Sequence, residues 1–269
     1  MGESPRYRSD LYVGTAEFYD RYRPGYPNDM LADLVTRASL GEQARLLDLA
    51  CGTGQIAFAL AGRFGQVVAV DQEPGMVAYG STKAAAQGVT NISWIVDRAE
   101  DVDVDGPFDL ITIGSAFHRL ERASVAERAL SWLRPGRHLA LVWDDTPWSG
   151  AAPWQRVMVE VRREWAQRLK VTDRVPADWE AEIDRDPHRE VLLRAGFQKV
   201  EEHRCPRDRT WTLESLIGFV YSTSTHSRAA LGERAADFEL SFRERLLEIE
   251  PNGRFVDRSA SAYEIATCP

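Results

Sequence analysis

A glycine-rich turn that follows the first apolar strand carries the residues best suited to bind a ligand. The strand at 45–49 leads into Gly52 and Gly54, in a Gly-x-Gly-x-x-Ala spacing. Glycines there let a ligand approach the backbone closely, but dinucleotide-binding turns share this spacing. Asp48, four residues before Gly52, would repel a diphosphate and attract an ammonium group, directly or through water. The alternative is that Asp48 only caps a helix or a turn.

Two further acidic side chains follow the next two strands. Asp71 comes 19 residues after Gly52, where a carboxylate accepts hydrogen bonds from ribose hydroxyls. Asp97, followed by Arg98 and Ala99, stands where an adenine ring would lie and could accept its exocyclic amine. A ligand with an ammonium group, a ribose and an adenine is S-adenosylmethionine (SAM), whose sulfonium suits a pocket of negative potential. S-adenosylhomocysteine would be the product.

Short apolar strands alternate with helices in the first half of the chain and place these turns. We predict strands at 45–49, 67–71, 92–97, 108–113 and 139–143, with helices between them. Such alternation is typical of βαβ units in a parallel sheet that is covered on both faces. The fold class is therefore α/β, with a doubly wound, mainly parallel sheet that binds ligands at the carboxyl ends of its strands.

The alternation ends after Asp145. Apolar residues at helical spacing follow over 154–165, a stripe that fits core packing better than ligand contact, and strands are predicted at 197–204 and 254–267. We predict four parts: an N-terminal lid over 1–27, a SAM-binding core over 28–145, an inserted helical cap over 146–195, and the remainder of the sheet with its helices over 196–269.

Composition excludes several classes of protein and partner. The chain has 269 residues, 44% of them hydrophobic and 28% charged, with a net charge of −8. An acidic surface repels phosphate backbones and anionic lipids, so neither nucleic acid nor a membrane is expected as a partner. Three widely spaced cysteines without a CxxC motif indicate a reducing cytoplasm and predict no metal site. No signal peptide and no membrane-spanning run is expected.

Four segments resemble successive motifs of the class I SAM-dependent methyltransferases. They are LLDLACGTG, VVAVDQEPGM, VDRAED and FDLITIGSAFHRLE. The run GTAEFYDRYRPGYP is similar to the type 11 and UbiE-like group, and TLESLIGFVYSTST to its trans-aconitate methyltransferase-like branch. The resemblance implies a Rossmann-like sheet of seven strands with a reversed last hairpin, and methyl transfer from SAM.

The resemblance also implies which residues contact the cofactor. The residues expected around the methionine end are Asp48, Ala50, Gly52 and Gly54, and those around the ribose and the adenine edge are Asp71, Gln72 and Met76. The adenine would be bordered by Asp97, Arg98 and Ala99, and Ser115 would lie near the sulfonium. Tyr19, Tyr22 and Arg23 would cover the cofactor, with Arg23 a candidate for its carboxylate. Arg98 departs from the group, which often has a small or acidic residue there.

Candidates for catalysis come from the end of the fourth strand and from the N-terminal lid. His118 could act as a general base or could position the substrate. Phe117 could form an aromatic wall of the acceptor site or pack in the core. Tyr7, Tyr12 and Tyr19 could each orient an acceptor or only pack.

Together these features predict methyl transfer from SAM to a nitrogen or oxygen of a small molecule. Because no committed base is evident, the sequence favours N-methylation of a specialised, antibiotic-type metabolite. One alternative is an NAD(P)-dependent oxidoreductase with the same turn, against which Asp48 argues. Another is a protein that binds SAM without transferring its methyl group.

Overall fold

The central sheet of the protein has the predicted doubly wound arrangement. The structure, a computed structural model, describes residues 10–41, 43–170 and 179–269. Within them one sheet contains the strands β1 (Arg45–Leu49), β2 (Gln66–Asp71), β3 (Ile92–Val96), β4 (Phe108–Gly114), β5 (Leu133–Asp144), β6 (Val200–Thr212) and β7 (Arg254–Thr267). Their order is β3-β2-β1-β4-β5-β7-β6, and β7 alone runs in the direction opposite to the other six strands. The seven-stranded sheet with a reversed last hairpin is confirmed.

The strand order creates a crevice at the centre of the sheet. After β1 the chain continues to β2 and β3 on one side, and then returns to β4 on the other. Ligands of open α/β sheets bind at such a switch point, beyond the carboxyl ends of the strands. Strands β1 and β4 are buried on both faces, which explains why their sequences read as continuous apolar runs.

Helices cover both faces of the sheet. They are α1 (Ala16–Tyr22), α2 (Asn28–Arg37), α3 (Gln55–Ala61), α4 (Pro74–Gln87), α5 (Arg122–Trp132), α6 (Pro153–Leu169), α7 (Trp179–Arg185), α8 (His188–Ala195), α9 (Leu213–Tyr221), α10 (Arg228–Leu231) and α11 (Ala235–Ile249). Apolar residues of α2 and α3 pack on one face, and those of α5 and α8 pack on the other. In the described part of the chain, no helix is long and apolar enough to cross a lipid bilayer.

A third hydrophobic cluster brings together helices from two separate parts of the chain. Trp154, Met158 and Trp165 of α6 pack with apolar residues of α9 and α11, so the stripe on α6 faces a core as predicted. Helix α8, in contrast, packs against α5 on the main sheet. We therefore propose that the cap consists of α6 with α9, α10 and α11, which come from two separate parts of the chain.

The last two strands form a long antiparallel pair, with α9, α10 and α11 between them in the sequence. Its pairing runs from Val200 opposite Ala266 to Thr212 opposite Arg254. Strand β6 is longer than the predicted strand at 197–204. The prediction ended too early because the outer half of the strand has mostly polar residues and little apolar signal. At the far end Trp211 is buried in the cap cluster.

Candidate active site

A first cavity of about 720 Å³ opens where β1, β2, β3 and β4 end. Ten of the residues that the sequence assigned to the cofactor line it: Tyr19, Ala50, Gly52, Asp71, Gln72, Met76, Asp97, Arg98, Ala99 and Ser115. Ala50 and Ser115 have positive φ angles of 52° and 50° without being glycine, a strained backbone that is common at functional sites. The structure therefore brings the predicted strand-end residues together.

The first cavity is acidic. Its described lining includes five carboxylates, from Asp10, Asp71, Asp97, Glu100 and Glu121, and two guanidiniums, from arginines 98 and 119. This excess of negative charge favours a ligand with an ammonium or sulfonium group and disfavours a diphosphate. The residues present thus fit SAM, which carries both cationic groups.

Asp71 organises the glycine turn and also faces the cavity. Its carboxylate accepts a hydrogen bond from the Gly52 N–H at 2.8 Å and another from the Glu73 N–H at 2.9 Å. Burial raises the pKa of the Asp71 carboxyl, although these two donors oppose the shift. Each carboxylate oxygen can accept further hydrogen bonds, so the side chain is suited to ribose hydroxyls.

Asp48 does not lie where the sequence predicted, which was in contact with the ammonium group of the ligand. It is 1% exposed and does not line the cavity. Its two oxygens accept hydrogen bonds from the Thr112 hydroxyl at 2.8 Å and from the Ala57 N–H, in the first turn of α3, at 3.2 Å. The alternative of a turn and helix-end aspartate therefore describes its contacts, and the negative potential of the cavity comes from other residues.

The pKa of Asp48 gives a prediction about stability. Burial raises it from 3.8 to about 7, because desolvation penalises the carboxylate more than its hydrogen bonds favour it. The folded protein keeps a proton that the unfolded chain releases, so the contribution of Asp48 to stability falls as the pH rises from about 4 to about 7. Relative to Asp48→Asn, we expect the wild type to lose free energy of unfolding over this range. Urea unfolding at several pH values measures it, and parallel curves would contradict the assignment.

Gly54 also lies outside the first cavity. Its φ angle is +87°, and a Cβ atom there would come within 2.4 Å of the Trp94 ring. Gly54 therefore serves the fold, since it permits the turn and the close packing of Trp94. Gly52, with φ +56°, is the glycine of the pair that borders the cavity.

Helix α1, in the segment predicted to be a lid, lies beside the glycine turn. The ring of Tyr19 stands 3.5 Å from the position of a Cβ on Gly52, and the Lys83 ammonium binds Asp20 at 2.6 Å. Tyr22 differs from the prediction, because it packs against α9 and donates a hydrogen bond to Glu214. Tyr7 lies outside the described residues.

A second cavity, of about 780 Å³, adjoins the first. His118 and Phe117 line it, as does Arg23, which binds the Ser222 hydroxyl at 2.8 Å and does not border the first cavity. Arg23 was predicted to bind the carboxylate of the cofactor, but it lies outside the cavity that would hold the cofactor. The two cavities share five lining residues: Tyr12, Tyr19, Ser115, Ala116 and Arg119. This shared wall, which we call the junction, is where ligands in the two cavities would meet.

His118 is placed for contact with a substrate but is a weak base. Its Nε2 atom accepts a hydrogen bond from Arg119 Nε at 3.1 Å. Burial, with the positive charge of Arg119, lowers the pKa of His118 to about 3. Phe117 is 3% exposed and contacts the ring of His188, so it packs in the core while one edge borders the second cavity.

Among the lining residues that the sequence-based set omits, Tyr26 and Arg119 lie at or beside the junction. The Tyr26 hydroxyl lies 3.1 Å from the Ser115 hydroxyl beside the junction, and burial raises the pKa of Tyr26, which keeps the phenol protonated. Arg119 lies 5.2 Å from the centre of the Tyr12 ring. The run YRPGYP and the His118-Arg119 pair were the signals available, but neither has the spacing of a motif. Among the described residues, no cluster of His, Cys, Asp and Glu could hold a metal ion.

Comparison with known proteins identifies the type of site. Residues 46–136 match the family described as "Methyltransferase domain". An uncharacterized methyltransferase of Mycobacterium tuberculosis is 29% identical over 209 residues, which are 77% of this chain and 73% of that protein. A trans-aconitate 2-methyltransferase of Azoarcus is 31% identical over 140 residues, or 51% of this chain and 52% of that protein.

A solved structure confirms the fold. It is a phosphoethanolamine N-methyltransferase of Haemonchus contortus bound to phosphomonomethylethanolamine and S-adenosylhomocysteine, with a TM-score of 0.54 and 17% identity. The match covers 94% of this chain and 57% of that protein. Together with the acidic crevice, the matched domain and the relatives named as methyltransferases show a SAM-dependent methyltransferase whose cofactor is SAM, and the relatives support a place among the class I enzymes of the type 11 group.

Proposed function

We propose that this enzyme methylates a nitrogen or an oxygen of a small molecule, and that N-methylation of a specialised, antibiotic-type metabolite is the favoured case. The observation that carries the proposal is the junction, where the first cavity meets a second one of similar size. A cofactor in one and an acceptor in the other would be held side by side, which is the arrangement that an in-line displacement requires.

The first cavity would hold the cofactor through the residues at the ends of the strands. Asp71 would accept hydrogen bonds from the ribose, and Asp97, Arg98 and Ala99 would border the adenine. SAM supplies an electrophilic methyl group when it is bound. Tyr19 and the rest of α1 would cover the cofactor and exclude water from it.

The second cavity supports a small acceptor. Its volume of about 780 Å³ lies in the range of sites for small molecules. Trp148, Trp211 and Phe219 line it, and such aromatic walls suit the apolar body of a metabolite. The net charge of −8 further disfavours nucleic acid as the acceptor.

The state of His118 supports an amine as the attacked group. A histidine with a pKa of about 3 binds a proton too weakly to activate a hydroxyl at neutral pH. A neutral amine can attack without a base, and the His118 ring could position it. Asp144 and Glu264, which line the same cavity and have pKa values raised by burial, are the carboxyls that would serve a hydroxyl acceptor.

The positioning role of His118 predicts a particular pH profile. Because its pKa is lowered to about 3, we expect turnover to show no inflection from this residue between about pH 5 and pH 8. His118→Ala should lower turnover more than affinity for SAM. Steady-state rates of both proteins across this range provide the measurement. An inflection near pH 6.5 that disappears in the variant would restore His118 as a general base.

Transfer of labelled methyl groups tests the proposed function. The enzyme, incubated with methyl-tritiated SAM and matched libraries of amines and phenols, should label small amines. If only phenols are labelled, the methylated atom is an oxygen and not a nitrogen. Binding of NADH in preference to SAM, followed by fluorescence, would favour the oxidoreductase that the acidic first cavity opposes.

The cysteines support a cytoplasmic location as part of this proposal. Cys51, Cys205 and Cys268 are all free thiols. Free thiols in a chain of this size suit a compartment that keeps them reduced.

A further inference from the structure

The arginines that line the second cavity include Arg119 and Arg209, and two more, Arg162 and Arg23, lie over aromatic rings of the third hydrophobic cluster. The guanidinium of Arg162, on α6, lies 3.8 Å from the centre of the Trp148 ring. The guanidinium of Arg23, which follows α1, lies 4.6 Å from the centre of the Phe219 ring. The four residues of these two pairs line the cavity, so the cap and the lid present two cations to the same space.

Neither cation has a carboxylate partner. Arg23 is held by the Ser222 hydroxyl and carbonyl, and the Arg162 Nε atom is buried without a hydrogen-bond partner among the described residues. In residues 10–41, 43–170 and 179–269, no acidic oxygen lies within 4.0 Å of either guanidinium. Burial and the charge of Arg23 lower the pKa of Arg162 to about 10. Two like charges in a partly desolvated space cost free energy that a bound anion would offset.

The carboxylates of the second cavity have other partners or positions. Asp144 accepts a hydrogen bond from the Ser261 hydroxyl and lies 3.7 Å from Arg207. Asp145 accepts from the Ala260 N–H at 3.0 Å and lies 3.5 Å from Arg204. Glu264 stands on β7 opposite Leu141 of β5, at the sheet and not at the cap. None of these three carboxylates forms an ion pair with Arg162 or Arg23.

We propose that the methyl acceptor carries a carboxylate, which Arg162 binds with Arg23 beside it, while Trp148 and Phe219 contact the apolar body of the acceptor. This inference rests on the proposed function, because it assigns a substrate class to the second cavity. A guanidinium offers two parallel N–H donors that match the two oxygens of a carboxylate. Stacking on Trp148 holds the guanidinium plane, so little side-chain freedom remains to be lost on binding.

Benzoate and benzamide provide matched probes. They share a ring and a shape, and they differ in the charge of the group that Arg162 would bind. Calorimetric titrations with the enzyme saturated in S-adenosylhomocysteine measure their affinities without any turnover. We expect benzoate to bind at least about tenfold more tightly than benzamide, since hydrogen bonds to charged groups are worth that factor or more.

Variants of two neighbouring arginines on α6 test whether Arg162 is the residue that binds the carboxylate. Arg162→Gln should remove the preference for benzoate, and Arg162→Lys should retain part of it. Arg163→Gln is the matched control, because its exposed side chain follows on the same helix and does not line the cavity. Unchanged affinity of each variant for S-adenosylhomocysteine will show that it is folded.

The outcomes separate this inference from the proposed function. If S-adenosylhomocysteine binds and benzoate binds no better than benzamide, or does not bind, the carboxylate assignment is wrong and methyl transfer to a small molecule still stands. Tighter binding of phenyl phosphate than of benzoate would also overturn it, in favour of a phosphate. If S-adenosylhomocysteine itself fails to bind, the proposed function fails first. A preference for benzoate that survives in Arg162→Gln would contradict the role of Arg162.

Discussion

Replacing Asp71 by Ala is expected to weaken the binding of SAM by about 10- to 100-fold. The variant loses the carboxylate that faces the first cavity, and charged hydrogen bonds of this kind contribute about 1.5–3 kcal/mol. It also frees the Gly52 N–H, which Asp71 holds at 2.8 Å, so the turn that borders the cofactor loses its support. Calorimetric titration with SAM measures the change.

Two further variants make the Asp71 result specific. Asp71→Asn keeps an acceptor oxygen without the charge and should lie between the wild type and the Ala variant. Asp103→Ala removes an exposed carboxylate that does not line the cavity, so it controls for net charge. If Asp71→Ala and Asp103→Ala bind SAM equally well, the ribose assignment of Asp71 is wrong.

Replacing Asp48 by Ala is expected to destabilise the fold, and not to weaken the binding of SAM directly. The variant leaves the fully buried Thr112 hydroxyl and the Ala57 N–H without their partner. A buried polar group that loses its partner costs about 1–3 kcal/mol. We therefore expect the free energy of unfolding to fall by about 3 kcal/mol. Urea denaturation, with the midpoint and slope fitted together, provides the measurement.

Asp48→Asn distinguishes hydrogen bonding from charge. Asn can accept from the Ala57 N–H and donate to the Thr112 hydroxyl after rotation of its amide, so most of the stability should remain. Because Asp48 does not line the first cavity, the affinity for S-adenosylhomocysteine should also stay near that of the wild type. A loss in Asp48→Asn as large as in Asp71→Ala would restore a direct electrostatic role for Asp48.

The position of Asp48 shows where strand patterning misleads. Side chains of a strand alternate between the two faces of the sheet. Leu47 and Leu49 join the cluster under α5 and α8, whereas Leu46 joins the cluster under α2 and α3. Asp48 shares the face of Leu46 and therefore points towards α3, where it meets the Ala57 N–H. The sequence places the residue at the end of the strand, but only the packing of α3 decides which group it binds.

The boundaries of the cap show a second limit of sequence patterns. Periodicity finds α6, α9 and α11 as separate apolar stripes, and it correctly indicates that each has a buried face. It carries no information about which stripes pack together. In the structure α6 packs against α9 and α11, whereas α8 packs against α5. Burial of apolar surface depends on neighbours in space and not on neighbours in sequence.

The amino-acid sequence was enough to predict the fold class, the order of the strand-end motifs and ten of the residues that border the first cavity. It could do so because each parallel strand ends at the same edge of the sheet, so a residue two or three positions beyond a strand has a nearly fixed location. The second cavity, in contrast, could be found only once the chain was seen in its packed form. Arg23, the pair Trp148 and Arg162, and Phe219 come from three distant parts of the chain. Long-range packing brings their side chains together, and no periodic pattern in the sequence reports such packing.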